Sequence, residues 1–132
     1  MNDRYLFRGK RLDNGKWVQG DLLCDREGAP SHVRFWGKLG IDCADINPAT
    51  IGQCTGLKDK NGELIFDGDI IRRRYGVDNE ESANYVIIYA DDASYAGLEI
   101  DGDPRLLSLN NSDVSIEIIG NVYDNRDLLE VK

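Results

Sequence analysis

The sequence is poor in the residues that most often carry chemistry or covalent structure. Its 132 residues include three Cys, one Met, three Pro and one His. Disulfide-held secreted scaffolds carry more cysteines, in even number, so Cys24, Cys43 and Cys54 are expected as free thiols in a reducing compartment. With one His, no Gly-x-Ser-x-Gly and no glycine-rich phosphate loop, the sequence lacks the common hydrolase and nucleotide signatures. No run approaches the roughly 20 apolar residues of a membrane-spanning helix. Residues Met1 to Leu12 mix charge with apolar side chains and have no signal-peptide core, so the expected location is the cytosol.

Basic residues are scarce in the C-terminal half. Residues 76–132 carry 3 basic and 13 acidic side chains, whereas residues 1–75 carry 13 basic and 11 acidic, for a net charge of −8. The acidic half should repel phosphate backbones, while the first half can tolerate one, above all around Arg72, Arg73, Arg74 and Tyr75. Hydrophobic content of 41% and charged content of 30% exclude wholesale disorder. A chain of this length buries about two-thirds of its unfolded surface and needs neither metal nor disulfide to fold.

What is abundant is turn chemistry. There are 14 glycines, and Asn14-Gly15 and Asn61-Gly62 each separate apolar runs. Asn-Gly between such runs signals a hairpin with a type I′ turn, because both central residues need positive φ. In the run after the first turn, Trp17, Gln19 and Asp21 share one face and Val18, Gly20 and Leu22 the other. Further strands are expected at His32–Trp36, Thr50–Cys54, Leu64–Phe66 and Ile70–Tyr75, with Ile70 and Arg72 pointing opposite to Ile71 and Arg73. Tyr85–Tyr89, β-branched and aromatic with no breaker, is expected at the centre of a sheet. Asp78–Ser82 reads as a loop, and Asp101–Pro104 as a turn between Gly97–Ile100 and Leu106–Leu109. Val114, Ile116 and Ile118 alternate with polar residues as a half-buried strand. Asn125 is the expected N-cap of a helical turn ending near Leu129.

Eight to ten short strands with tight turns make an all-β protein with one or two short helices at most, its small antiparallel sheets forming barrel-like lobes. The chain is one domain over 1–132, or two lobes meeting near 76–84, where the charge changes sign.

Four residues have the ligand types of a zinc site: Cys24, His32, Cys43 and Cys54. They lack the close Cys pair of structural sites, so buried or semi-buried thiols are expected instead. The carboxylate pairs Asp67/Asp69, Asp91/Asp92, Asp101/Asp103 and Glu80/Glu81 lie in expected turns, where Asp serves local hydrogen bonds. Asp59-x-Asn61-Gly62 lacks the remaining ligands of a calcium loop. No cofactor and no metal is expected.

Three blocks carry a resemblance. The longest is Thr50-Ile51-Gly52-Gln53-Cys54-Thr55-Gly56-Leu57-Lys58-Asp59-Lys60-Asn61-Gly62-Glu63-Leu64-Ile65-Phe66-Asp67-Gly68-Asp69-Ile70-Ile71. The second is Ile118-Ile119-Gly120-Asn121-Val122-Tyr123-Asp124-Asn125 with Leu128-Leu129. The third is Tyr5-Leu6-Phe7-Arg8 with Trp17 and Gly20. Together, from about Arg4 to Leu129, they resemble the YopX family, small β-rich proteins encoded by bacteriophages and prophages, with no established biochemical role and no catalytic residues to carry over. Cys54 stands where the family pattern usually has an aromatic residue. The resemblance implies a bacterial host cytoplasm. The long block reads as a folding signature, with Asp67 and Asp69 bracketing a special backbone at Gly68.

The expected function is therefore non-enzymatic: an acidic accessory protein that binds a protein partner or itself, with no membrane and no known small-molecule substrate. The alternative is a nucleic-acid-associated module using Arg72, Arg73, Arg74 and Tyr75, with Trp17, Phe35 or Trp36 as stacking residues.

Overall fold

A computed structural model describes residues 6–75, 77–89, 95–100, 106–108 and 116–129. Strand makes up 62% of these residues and no helix reaches 7 residues, so the fold is all-β. The strands are β1 (Phe7–Lys10), β2 (Trp17–Cys24), β3 (Pro30–Gly37), β4 (Gly40–Asp45), β5 (Gly52–Lys58), β6 (Leu64–Phe66), β7 (Asp69–Tyr75), β8 (Glu81–Tyr89), β9 (Tyr95–Glu99), β10 (Leu106–Ser108) and β11 (Ile116–Asn121). They form two antiparallel sheets, ordered β4-β3-β2-β1-β5-β6 and β10-β9-β8-β7-β11, and neither closes into a barrel.

The chain falls into two compact units, Met1–Cys54 and Thr55–Lys132. The boundary thus lies inside β5 rather than near 76–84. That latter stretch belongs to the β7–β8 hairpin, whose ladder runs from Ile70↔Val86 to Tyr75↔Glu81. The change of charge sign marks surface composition, and hydrogen-bonded strands keep the segment in one unit. Glu81 and Ser82, expected in a loop, are the first residues of β8 because they pair with Tyr75 and Arg74.

The first unit is built on alternation. Val18, Val33, Ala44 and Ile46 are buried together, with Leu22, Phe35 and Ile51 packed against them. Trp17, Gln19 and Asp21 take the outer face, as the period-2 pattern of β2 requires. The turn before β2 departs from type I′. Gly15 has φ +69, but Asn14 has no positive φ. The Arg11 N–H donates to the Lys16 carbonyl at 2.9 Å, closing a longer loop, and Asn14 Oδ1 accepts the Lys16 N–H. Side-chain capping by Asn14 replaces the second left-handed residue.

The part of this sheet from β1 to β4 curls until the end of β4 meets the end of β1. Arg11 bridges to Ile46, the Leu12 N–H reaches the Asp45 carbonyl and the Asn47 N–H the Lys10 carbonyl. The Lys10 N–H adds a bond to Thr50 Oγ1. The curl brings β3 over β2 at Gly20, where a Cβ would stand 2.0 Å from the Arg34 carbonyl oxygen. A strand glycine at a tight bend with close backbone approach is the physical meaning of that residue.

In the second unit, β8 is internal, as expected. Tyr85, Ile87, Ile71, Ile65 and Ile116 form its core, with Leu57, Ala83 and Ile118 packed against it. A register shift between Ile118 and Gly120 bends β11. The β5–β6 turn covers the outer side of β11: the Lys60 N–H donates to the Ile116 carbonyl and the Ile118 N–H to Asp59 Oδ2. The last 3₁₀ turn, Arg126–Leu129, begins after Asn125. Asn125 does not cap it with its side chain. Its Oδ1 turns back to the Asn121 N–H, and its backbone carbonyl accepts from Leu128. The expected turn at Asp101–Pro104 and the residues Val114 and Ser115 lie outside the described residues. The strands that flank that turn, β9 and β10, do pair, through Leu106↔Leu98.

Candidate interaction surface

The β3–β4 hairpin ends in a two-residue turn, Lys38-Leu39, between the paired Gly37 and Gly40. Trp36 and Ile41 are direct cross-strand partners, so their side chains stand on the same face. Both are exposed, Trp36 by 79% and Ile41 by 68%, and Leu39 at the tip is fully exposed. Three large apolar side chains within six residues are more than the scattered singles of an ordinary surface. A hollow lies on each side of the hairpin. One, of about 550 Å³, is lined by Leu6, Gln19, Asp21, Arg34, Trp36 and Ile41 among others. The other, of about 570 Å³, is lined by Arg11, Phe35, Leu39, Ile41 and Asp42 among others.

The rim is polar. Arg34 pairs with Asp21 at 3.0 Å. Arg11 forks onto Asp13, through Nε at 3.0 Å and Nη2 at 2.8 Å, and its guanidinium lies 5.9 Å from the Phe35 ring centre. The Arg11 hydrogen bonds hold the Asp13 carboxyl below its ordinary range. On the free side of β4, Asp42 Oδ1 accepts the Cys43 N–H and Leu12 occupies the Asp45 carbonyl. Those contacts cover part of the open backbone, as edge strands commonly require. What the hairpin offers a partner is chiefly side-chain surface, beside a strand edge that is partly covered.

The arginine run is split. Strand alternation puts Arg72 and Arg74 on one face of β7 and Arg73 on the other, and β7 is an internal strand between β8 and β11 rather than an edge. Arg72 is paired with Glu117 across the ladder and Arg73 with Ile116. Only Arg74 of the three is exposed. Tyr75 ends β7 opposite Glu81. Lys60 Nζ lies 2.9 Å from Glu117 Oε2. That hydrogen bond, then the charges of Lys60, Arg74 and Arg72, hold the Glu117 carboxyl below its ordinary range. The pair therefore favours the folded state at neutral pH, and its contribution disappears as pH falls below the ordinary carboxylate range and through the lowered folded value. Glu117→Gln is expected to flatten the acid limb of a stability-against-pH curve from urea unfolding, while leaving the alkaline limb unchanged.

The stacking candidates also divide. Trp36 is exposed, Phe35 packs against the core of the first unit, and Trp17 carries two cations, Arg8 at 4.7 Å and Lys10 at 5.6 Å from its ring centre. Such stacking fixes long basic side chains on the outer face.

The zinc-type set does not assemble. Among the described residues no three His, Cys, Asp or Glu side chains come together in a metal-binding group. Cys24 and Cys43 are exposed, against the expectation of burial or half-burial: Cys43 alternates with buried Ala44, whereas Cys24 ends β2 where its ladder to β3 shifts register, and of the three thiols only Cys54 is buried. His32 instead joins a chain that sequence reading missed. Ser31 Oγ lies 2.5 Å from His32 Nδ1, and His32 Nε2 lies 2.5 Å from Asp45 Oδ1. The order is that of a nucleophile, base and orienting acid. Its imidazole and carboxylate stand in solvent, however, without the dry, preorganised setting that gives such a chain catalytic force. The pairing His32↔Asp45 across the strands accounts for it as a surface contact.

Two carboxylates of the long sequence block, Asp59 and Asp69, serve the backbone. Asp59 Oδ1 accepts the Asn61 and Glu63 N–H groups. Asp69, 2% exposed, accepts the Phe66 N–H at 2.7 Å. Between Asp67 and Asp69, Gly68 has φ +89. Among the described residues no helix is long and apolar enough to cross a membrane.

The profile of the YopX protein family matches residues 6–130. No curated protein matches the chain. Among solved structures it is similar to the crystal structure of protein EF1440 from Enterococcus faecalis, at 22% identity over 94% of this chain and 96% of that one, with a TM-score of 0.51. At that identity the likeness is one of fold. With the family profile spanning nearly its whole length, the chain belongs to the YopX family.

Proposed function

We propose that this protein is a phage- or prophage-encoded accessory protein of the bacterial cytoplasm that acts by binding another protein chain, not by catalysis. The observation that carries this reading is the clustering of exposed Trp36, Leu39 and Ile41 on one hairpin. An apolar patch with an exposed tryptophan and a polar rim has the make-up of a binding hot spot.

A second reading, association with nucleic acid, draws support from Arg8 and Lys10 stacked on Trp17 and, separately, from Arg72 and Arg74 on one face of β7. The net charge of −8 opposes it. One experiment separates the two. The tagged protein and its Trp36→Ala/Leu39→Ser variant are used as bait in bacterial host lysate treated with nuclease, and the wild type is tested in gel shifts with single- and double-stranded DNA at low salt. The expected result is a protein captured by the wild type and lost with the variant, with no shift of either DNA. Capture unaffected by the variant would remove the hairpin from the binding surface. A salt-sensitive shift would move the assignment to nucleic acid.

A further inference from the structure

We infer that the occupant of the β3–β4 hairpin surface is a second copy of this chain, related by a twofold axis. This rests on the reading of that hairpin as a protein-binding surface. An isologous interface must be complementary to itself, so one patch has to supply both halves of every contact. This patch does. Leu39 is a fully exposed apolar projection, and beside it lies a hollow floored by Phe35 and bounded by Arg11 and Asp42. Each copy can offer Leu39 to the other's hollow.

The charges at the tip are paired in the same way. Lys38, beside Leu39 in the turn, and Asp42, three residues on in β4, are both exposed. Twofold pairing sets Lys38 of each copy against Asp42 of the other, two opposite-charge contacts from one surface. A tip of one sign would repel itself.

The distribution of charge over the chain points the same way. The unit that carries the hairpin, residues 1–54, has 8 basic and 7 acidic side chains, whereas residues 55–132 have 8 basic and 17 acidic. Near-neutral surface favours self-association. A partner selected by its charge would find the strong field on the other unit. A standard interface buries roughly 1,600 Å² in total and draws on about 20–30 residues a side, more than one hairpin tip supplies, so the dimer is expected to be weak, with dissociation in the micromolar range.

Sedimentation of the full chain across the micromolar range tests this. The average mass of the wild type should climb from one chain toward two as concentration rises, and Leu39→Ser should remain at one. Lys38→Asp and Asp42→Lys should each weaken association about tenfold, by setting like charges against each other. Mixing those two variants should restore it, because each then meets its opposite across the axis. Circular dichroism of each surface variant checks that it is folded. A wild type that stays monomeric throughout, or single variants that are not rescued by mixing, would overturn the twofold assignment. If the wild type is monomeric while lysate capture still depends on Trp36 and Leu39, the hairpin remains a protein-binding surface and its occupant is a different protein.

Discussion

Gly20→Ala is expected to destabilise residues 1–54 by about 3 kcal/mol or more, the cost of forced overpacking against a backbone that cannot move aside. The added Cβ would meet the Arg34 carbonyl oxygen at 2.0 Å and its carbon at 2.9 Å, with Val33 Cγ1 at 3.2 Å. Arg34 is held in register on both sides, by Asp21 of β2 and Cys43 of β4, so relief requires displacing a central strand. Both tryptophans of the chain, Trp17 and Trp36, lie in this unit, and urea unfolding followed by tryptophan fluorescence reads its stability. A loss below about 1 kcal/mol would mean that β3 shifts freely and that the sheet is not drawn tight at this point.

Asp59→Ala carries the second large effect, expected at about 2–3 kcal/mol from three N–H groups losing a charged acceptor. Oδ1 holds the turn through Asn61 and Glu63, and Oδ2 reaches the Ile118 N–H, 59 residues away in sequence. Asp59 is 7% exposed, so water does not readily replace its carboxylate. Asp59→Asn keeps one acceptor oxygen and should lose about half as much. Asp25 supplies the comparison. It caps the Asp25–Gly28 turn with the same two bonds, to the Glu27 and Ala29 N–H groups, but it is exposed and reaches no third donor. Its replacement by alanine should cost well under about 1 kcal/mol. Hydrogen exchange gives the distinguishing readout: the Ile118 amide should lose protection in Asp59→Ala ahead of the rest of β11. Unchanged protection there would show that Asp59 serves only its own turn.

The two Asp-x-x-Gly turns also mark how far local sequence could be read. Both hairpins flagged by Asn-Gly exist, but neither turn is type I′, since no asparagine at those positions adopts positive φ. At Asn61-Gly62 the glycine alone does so, with φ +82, and the aspartate three residues before it folds the loop by side-chain bonds. The signal for the turn at Asp25–Gly28 was therefore present in the sequence: an aspartate three residues before a glycine, between apolar runs. Period-2 alternation placed Trp17, Gln19 and Asp21 outward, because it depends on strand geometry alone, and the unbroken β-branched and aromatic run Tyr85–Tyr89 marked a central strand, because a strand apolar on both faces is covered on both. The same alternation predicted that Arg72 and Arg73 point apart, which already divides the arginine run between two faces.

Sequence by itself determined the class of this protein: short β strands, tight reversals, charged outer faces, and the ordered blocks by which it resembles its family. These are local properties, set by side-chain period, turn stereochemistry and composition. Only the tertiary structure decided where the chain divides, which thiol is buried, that Asp59 ties a turn to β11, and that Trp36, Leu39 and Ile41 share one exposed tip. Each of those depends on which strands become neighbours. That choice rests on the summed burial and hydrogen bonding of segments distant in sequence, which no window of residues contains.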